Sequence, residues 1–366
     1  MGLRFHFNET SHAGGRRSLA RGACFVCLLA LAGFACAAAI LWVHELRGFS
    51  EQAIEARIRA DLLAANAAVI FRNEKPATLV FVGDIMLSRA VGKKIEAEND
   101  PHFPFLNVAD ALRSADLAFA NLEGPISSRG KDQGSEYSFR ADPGVIEGLK
   151  FAGFDVLSLA NNHIWDWGSE ALEDTVNILK ENGIQPTGAG KNFDEANAPA
   201  IFVIGNTRLA MFAYTTLYPE SLEARAESAG VSSFEIEKVG REIQKLKNSG
   251  GADIVAVSLH WGEEYVAHAS EEQKDIAHVL VDAGADLVIG HHPHVVQEVE
   301  RYKSRLPAGR QGWIAYSLGN FVFDQGFSKE TMAGLMLKAT VRNKEIFSVE
   351  TVKTKISRDF EPYIEP

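Results

Sequence analysis

Five segments of this chain run from apolar, β-rich sequence straight into carboxylates, amides or imidazoles. They are Phe81-Val82-Gly83-Asp84, Ala120-Asn121-Leu122-Glu123-Gly124-Pro125, Ser158-Leu159-Ala160-Asn161-Asn162-His163, Ser258-Leu259-His260-Trp261-Gly262 and Ile289-Gly290-His291-His292-Pro293-His294. Carboxylate and amide oxygens and imidazole nitrogens are ligands for divalent cations. In α/β sheets ligands collect beyond the carboxyl ends of the strands, so groups far apart in the chain can meet there. The chemistry this pattern predicts is a metal site.

The segments differ in how much each says alone. Asp84 ends a buried run, where a carboxylate is costly unless it is paired or cation-bound; the competing reading is an N-cap for the helix that follows. Glu123 is a candidate bridge between two metals, or part of a polar turn before Gly124-Pro125. Asn162 offers a neutral oxygen, and His163 a general acid or a further ligand. Asp166, three residues on, is open to reading as a cap for the helix near Gly168. For His260, a ligand and a core histidine satisfied by backbone are equally open. Three histidines in four residues at 291–294 point most directly to a metal such as Mn, Zn or Fe. Asn320, in Tyr316-Ser317-Leu318-Gly319-Asn320-Phe321, either orients a ligand or closes its own turn.

Taken in order, G-D, N-x-E-G, A-N-N-H, H-W-G, G-H-H-P-H and S-L-G-N-F resemble the CapA family of poly-γ-glutamate capsule synthesis proteins. Phe139-Arg140 and Gly188-Ala189-Gly190 share in that resemblance, which covers roughly residues 77–323. The family is similar in plan to calcineurin-like metallophosphoesterases. The resemblance implies a four-layer α/β/β/α sandwich and a site of one or two divalent ions. Asp84, Glu123, Asn162, His260, His292 and His294 would be the metal ligands and His163 the catalytic acid. Asn121, Arg140 and Asn320 would face the substrate. Two departures stand out: Met86 occupies the place of a metal histidine, leaving its role to His291 or a water or one metal weakly held, and Glu123 replaces an aspartate.

The elements that must position these groups follow from the apolar pattern. Strands are expected at Thr78–Gly83, Leu117–Ala120, Phe154–Ala160, Ile254–His260 and Asp286–Gly290, with a hairpin around Gly205-Asn206-Thr207. Helical spacing falls at Val91–Glu98, Val145–Ala152, Ser169–Asn182, Phe234–Asn248 and Ser270–Ala283, and the region from Trp313 to Thr354 is strand-rich. Alternation followed by mixed strands predicts an α/β fold with a mixed sheet or a pair of sheets. Leu306–Gly312 reads as an exposed loop tip.

Upstream, Gly22–Val43 is a 22-residue run without a charge, preceded by Arg16, Arg17 and Arg21. About 20 apolar residues cross a bilayer, and positive flanks stay in the cytoplasm. The expected plan is a basic cytoplasmic tail (1–21), a single-pass anchor (22–43), a helical stalk (44–76) and an extracytoplasmic catalytic domain (77–366) at the cell membrane. A cleaved signal peptide is the alternative for the apolar run. All three cysteines, Cys24, Cys27 and Cys36, lie inside it, so the body has neither a disulfide framework nor a cysteine nucleophile. The chain carries a net charge of −11, of which residues 1–21 contribute +3. So acidic a body argues against nucleic acid as a partner. The expected partners are an anionic polymer or phosphate-ester substrate and the subunits of a membrane synthase. Three functions stay open: capsule synthesis or export with hydrolase or transferase chemistry, a secreted phosphoesterase, and a non-catalytic assembly component.

Overall fold

The computed structural model describes residues 76–304 and 309–365, all within the compact unit Glu74–Pro366. The tail, the anchor and the stalk up to residue 75 lie outside the described residues, as does part of the loop tip at 306–312. Among the described residues no helix is long and apolar enough to cross a membrane.

Two large sheets carry the fold. In the first, β1 (Ala77–Ile85), β2 (Leu117–Leu122), β3 (Val156–Ser158) and β4 (Gln185–Thr187) run parallel. On the other side of β1 lie β14 (Ala333–Arg342), β15 (Glu345–Ile356) and β16 (Pro362–Ile364), while β13 (Asn320–Val322) pairs with the end of β1. The second sheet has the order β11 (Val299–Lys303), β12 (Gln311–Ala315), β10 (Leu287–His291), β9 (Ile254–His260), β7 (Thr207–Thr215), β6 (Ala200–Ile204). The β6–β7 hairpin turns at Gly205-Asn206, where the sequence placed it. A small third sheet pairs β5 (Ala189–Gly190) with β8 (Gly230–Val231).

The central strands β1, β2, β9 and β10 read as continuous apolar runs because both of their faces are buried. On β1, Leu79 and Phe81 join a cluster with Ile254, Ala256, Leu287 and Ile289 of the second sheet, so this core lies between the sheets. Val80 and Val82 point the other way, into a cluster with residues of α1 (Arg89–Glu98), α2 (Ala109–Arg113), α3 (Ile146–Ala152) and α4 (Gly168–Glu181). A short α5 (Phe193–Asn197) follows. Val255 and Val257 of β9 pack with Val239 and Ile243 of α6 (Ile236–Ser249) and Leu280 and Val281 of α7 (Glu271–Ala283). Burying each such side chain contributes about 1.5–3 kcal/mol. The multi-sheet α/β architecture expected from the sequence is the one the chain adopts.

One segment ties the two sheets together where the chemistry-bearing residues lie. After β12 the chain passes through Tyr316–Gly319 and enters β13. On the way, Leu318 N–H donates to Gly290 O at 3.1 Å and Gly319 O accepts from Asp84 N–H at 3.0 Å. A Cβ on Gly83 would meet Gly319 O at 1.8 Å, and one on Gly290 would meet Tyr316 O at 1.8 Å. Both glycines are therefore demanded by a backbone passing at contact distance.

Candidate metal centre

Sheet register does most of the positioning. Asp84 lies beside Asn121 of β2 and Asn320 of β13, and His260 lies beside His291 of β10. Asp84 is fully buried and makes no helix cap; the N-cap of α1 is Ser88. Its Oδ1 accepts from Asn121 Nδ2 at 2.9 Å and from His291 Nδ1 at 3.0 Å, and its Oδ2 from the backbone N–H of His292 at 3.2 Å. Asn121 Nδ2 also lies 3.4 Å from both Glu123 Oε2 and His260 Nδ1. On its far side, His260 Nε2 donates to Asn162 Oδ1 at 2.8 Å. His294 Nδ1 donates to Asn320 Oδ1 at 2.9 Å, which leaves Nε2 3.5 Å from Glu123 Oε1. Single ligand atoms of Asp84, Glu123 and His260 lie within 4.8 Å of one another, and so do those of Glu264, His292 and His294. All six expected ligands thus meet in one place.

The turn carrying the histidines is strained. His292 and His294 sit at φ 96° and 57°, values that non-glycine residues rarely adopt and that cluster at functional sites.

Electrostatics follow from burial. Burial alone would raise the Asp84 carboxyl, but the imidazoles of His291 and His294 outweigh it and hold the group well below its ordinary value. Glu123 is pushed well above its ordinary value by burial, with the His294 charge opposing and Asp84 adding. Burial, reinforced by His292, holds His260 well down. Burial and the neighbouring His294 lower His292 to about 4. His294 moves the other way, to about 9, because the Glu123 and Asp84 carboxylates overcome its burial. His260 and His292 are therefore neutral imidazoles at pH 7, the form that binds metal.

Three buried polar atoms at this centre have no hydrogen-bond partner: Glu123 Oε1, His291 Nε2 and His292 Nδ1. Each such orphan costs about 1–3 kcal/mol. A divalent cation would relieve that cost at Glu123 and His292, so the donor set fits the expected metal.

His163 stands at the edge of this group. Its Nδ1 donates to Asp166 Oδ2 at 2.7 Å, and its Nε2 lies 3.9 Å from Glu123 Oε1. Phe139 stacks on the ring at 3.9 Å between centroids. Asp166 is not a helix cap: the N-cap of α4 is Trp167, and Asp166 also accepts from Ser135 Oγ and Phe139 N–H. Asn161 braces the whole corner, donating to Asn121 Oδ1 and Leu122 O and accepting from His163 N–H.

Several expectations need correcting. Asn121 and Asn320, expected at the substrate, are fully buried. Their amides are taken up by Asp84 and Asn161 in one case, and by His294, Gln325 and Thr331 in the other; both position ligands. Arg140, half-buried, lies 3.5 Å over the Trp167 ring and donates to Arg129 O while lining an open cavity with Arg89 and Lys93, a position that leaves its expected part at the substrate open. Met86 is buried with its sulfur accepting from Ser88 N–H and Oγ, at 3.2 and 3.0 Å. His291 does not take its place among the converging ligands but holds Asp84 by a hydrogen bond. Sequence reasoning missed Asn161, Glu264 and the role of Asp166. For the last two the available signals were a carboxylate four residues after His260 and one three residues after His163.

A family model, that of the bacterial capsule synthesis protein PGA_cap, matches residues 78–325, more than half of the chain. The chain belongs to this family. The match takes in every residue of the centre. The capsule biosynthesis protein CapA of Bacillus anthracis is 36% identical over 74% of this chain and 66% of its own length. The PGA biosynthesis protein CapA of Bacillus subtilis is 32% identical over 70% of this chain and 66% of its own length. This family member therefore spans just under two thirds of those relatives. Among solved structures, a 5'-nucleotidase precursor from Thermus thermophilus overlays 79% of this chain and 54% of its own, with a TM-score of 0.47 and 13% identity; a likeness of that degree carries no functional weight.

Proposed function

We propose that this chain is a membrane-anchored, metal-dependent component of poly-γ-glutamate capsule synthesis or export, acting by hydrolysis or group transfer on a γ-glutamyl polymer. Family membership and the names of the Bacillus relatives support the capsule role. The apolar run 22–43 behind three arginines supports the anchor and an extracytoplasmic catalytic domain. The observation that carries the chemical part is the meeting of buried Asp84, Glu123, His260, His292 and His294 with half-buried Asn162 in one cluster with orphaned donor atoms.

Asp84, Glu123, His260, His292 and His294, with Asn162, would hold the cation. When bound, it would polarise a substrate oxygen and acidify a water. The chain's own residues do the rest. Asn121, His291 and Asn320 fix the carboxylate and imidazole orientations. Asp166 anchors Nδ1 of His163, so proton uptake and delivery fall to Nε2, the atom facing Glu123. That is the geometry of a general acid serving the leaving group of an amide or ester.

Elemental analysis of the full chain, purified in detergent after exposure to Mn, Zn and Fe, tests the reading. Wild type should retain metal, and His292→Ala and Asp84→Asn should lose most of it. A metal-free wild type would refute it. Cleavage or transfer of γ-glutamyl oligomers, set against turnover of a generic phosphate ester, then separates the capsule reading from a phosphoesterase. Metal retention with neither activity would leave an assembly role.

A further inference from the structure

Glu264 lies in the loop between β9 and α7, half-buried, and neither motif order nor family match gives it a role. One of its carboxylate oxygens lies within 4.8 Å of ligand nitrogens of both His292 and His294. Its position is held by the backbone. The loop is stapled to the histidine turn at three points: Trp261 N–H to His291 O at 3.2 Å, Tyr265 N–H to Pro293 O at 2.8 Å, and Gln297 Nε2 to Val266 O at 2.8 Å. The outer two, at Trp261 and Val266, bracket Glu264 and the middle one falls on the residue next to it. Trp261 itself is buried and donates its indole N–H to Tyr316 O at 2.9 Å. Tyr265 takes φ 64° to make its bond, and its hydroxyl accepts from Gln325 Nε2 at 3.2 Å while its ring packs edge-on against Phe327.

A strained, multiply fastened loop that holds a carboxylate beside two imidazoles needs a reason. An independent observation supplies one: His292, 7% exposed, has an Nδ1 buried without a hydrogen-bond partner. We propose that Glu264 is a metal ligand, binding through its carboxylate the divalent cation shared with His292 and His294. The proposal rests on the metal-site reading above and extends it to a residue outside the recognised motifs. It also divides the donors into two groups, Asp84–Glu123–His260 and Glu264–His292–His294, each with at least one carboxylate to offset cation charge.

The test is titration of the chelator-treated full chain with Mn(II) and with Zn(II), read by calorimetry and by elemental analysis. Glu264→Gln should lose one ion per chain or weaken binding by ~10-fold or more, the scale of losing a partner at a metal site. Glu264→Asp keeps the charge but shortens the arm and should also weaken binding. Glu263→Gln removes a charge from an exposed neighbour and should leave binding unchanged. Binding by Glu264→Gln within twofold of wild type would overturn the proposal. So would an Asp variant as tight as wild type, or a Glu263→Gln loss as large as that of Glu264→Gln, since either would point to charge alone. If wild type binds no ion, the metal-site reading itself fails, an outcome distinct from all of these.

Discussion

Gly83→Ala is the sharpest probe of how the fold holds the centre. The new Cβ would sit 1.8 Å from Gly319 O, 2.8 Å from Gly319 C and 3.2 Å from Leu318 O. Real Cβ atoms essentially never approach closer than 3.0 Å, so β1 or the 316–319 segment must move by at least 1.2 Å, the gap between those values. The obstacle is backbone, not a side chain that can swing away. Overpacking of this kind costs about 1–3 kcal/mol, and more where nothing yields. The same shift breaks the 3.0 Å bond from Asp84 N–H to Gly319 O, so the ligand next in sequence moves with it. Gly240→Ala is the control: its Cβ would meet only Ala283 Cβ, at ordinary contact distance of 3.5 Å. In mid-helix that change should be neutral or stabilising by up to ~1 kcal/mol. Urea unfolding of the chelator-treated chain measures stability, and metal content measures the site. If Gly83→Ala lies within 0.5 kcal/mol of wild type (about the scatter of surface substitutions) and keeps its metal, the close crossing is not what demands glycine.

Asp166→Asn should lower turnover about 100-fold or more while metal content stays unchanged, because it removes the carboxylate that orients His163; unaltered turnover would leave His163 without a catalytic part. In the metal-stripped chain, stability should fall as pH drops from 6.5 toward 4, since unfolded His292 takes up a proton that the buried ring refuses. It should also fall as pH rises from 6.5 through 9, since unfolded His294 gives up a proton that the folded ring keeps. Bound metal, which needs His294 deprotonated, should abolish that alkaline fall; melting temperatures across pH with and without metal check both limbs. Short γ-glutamyl oligomers should bind the metal-loaded chain and not the stripped one, because Arg89 and Arg129 are already paired with Asp324 and Asp174; equal binding in a calorimeter would relocate the anion site.

The central strands were legible because both faces are buried, so Thr78–Gly83 and Ile254–His260 stand out as apolar runs, and the second coincides with β9. The β3 run was overread: only Val156–Ser158 form a strand, because the chain must leave the sheet to bring Asn161, Asn162 and His163 over its edge. The candidate metal ligands were legible for the same reason, each being a polar residue at or just past the end of such a run. Residues that act through others were not. Asn121 and Asn320 looked like substrate contacts because an amide beside a ligand site reads alike whether it points outward or inward; only their full burial distinguishes the two. Glu264 was hidden because it belongs to no strand end. It reaches the histidines through a loop whose path depends on bonds to Pro293 and Gln297, some thirty residues away in sequence.

The centre draws on both sheets, and that gives it a part in stability as well as chemistry. Asp84, Glu123, Asn162 and His163 come from strand ends of the first sheet, and His260, His292 and His294 from those of the second. The core between the sheets is apolar and so fixes their separation without fixing how their edges align. Alignment comes from directional groups: the Tyr316–Gly319 crossing, and the bonds from His291 and His292 to Asp84. A cation bound across this junction would join the same two edges. Its binding free energy would be folding free energy, about 2.7 kcal/mol at a concentration 100 times its dissociation constant. The orphaned atoms of Glu123 and His292 make the same point from the other direction. The apolar layers are complete by themselves, whereas the polar junction between their edges has donor capacity left over that a bound cation would use.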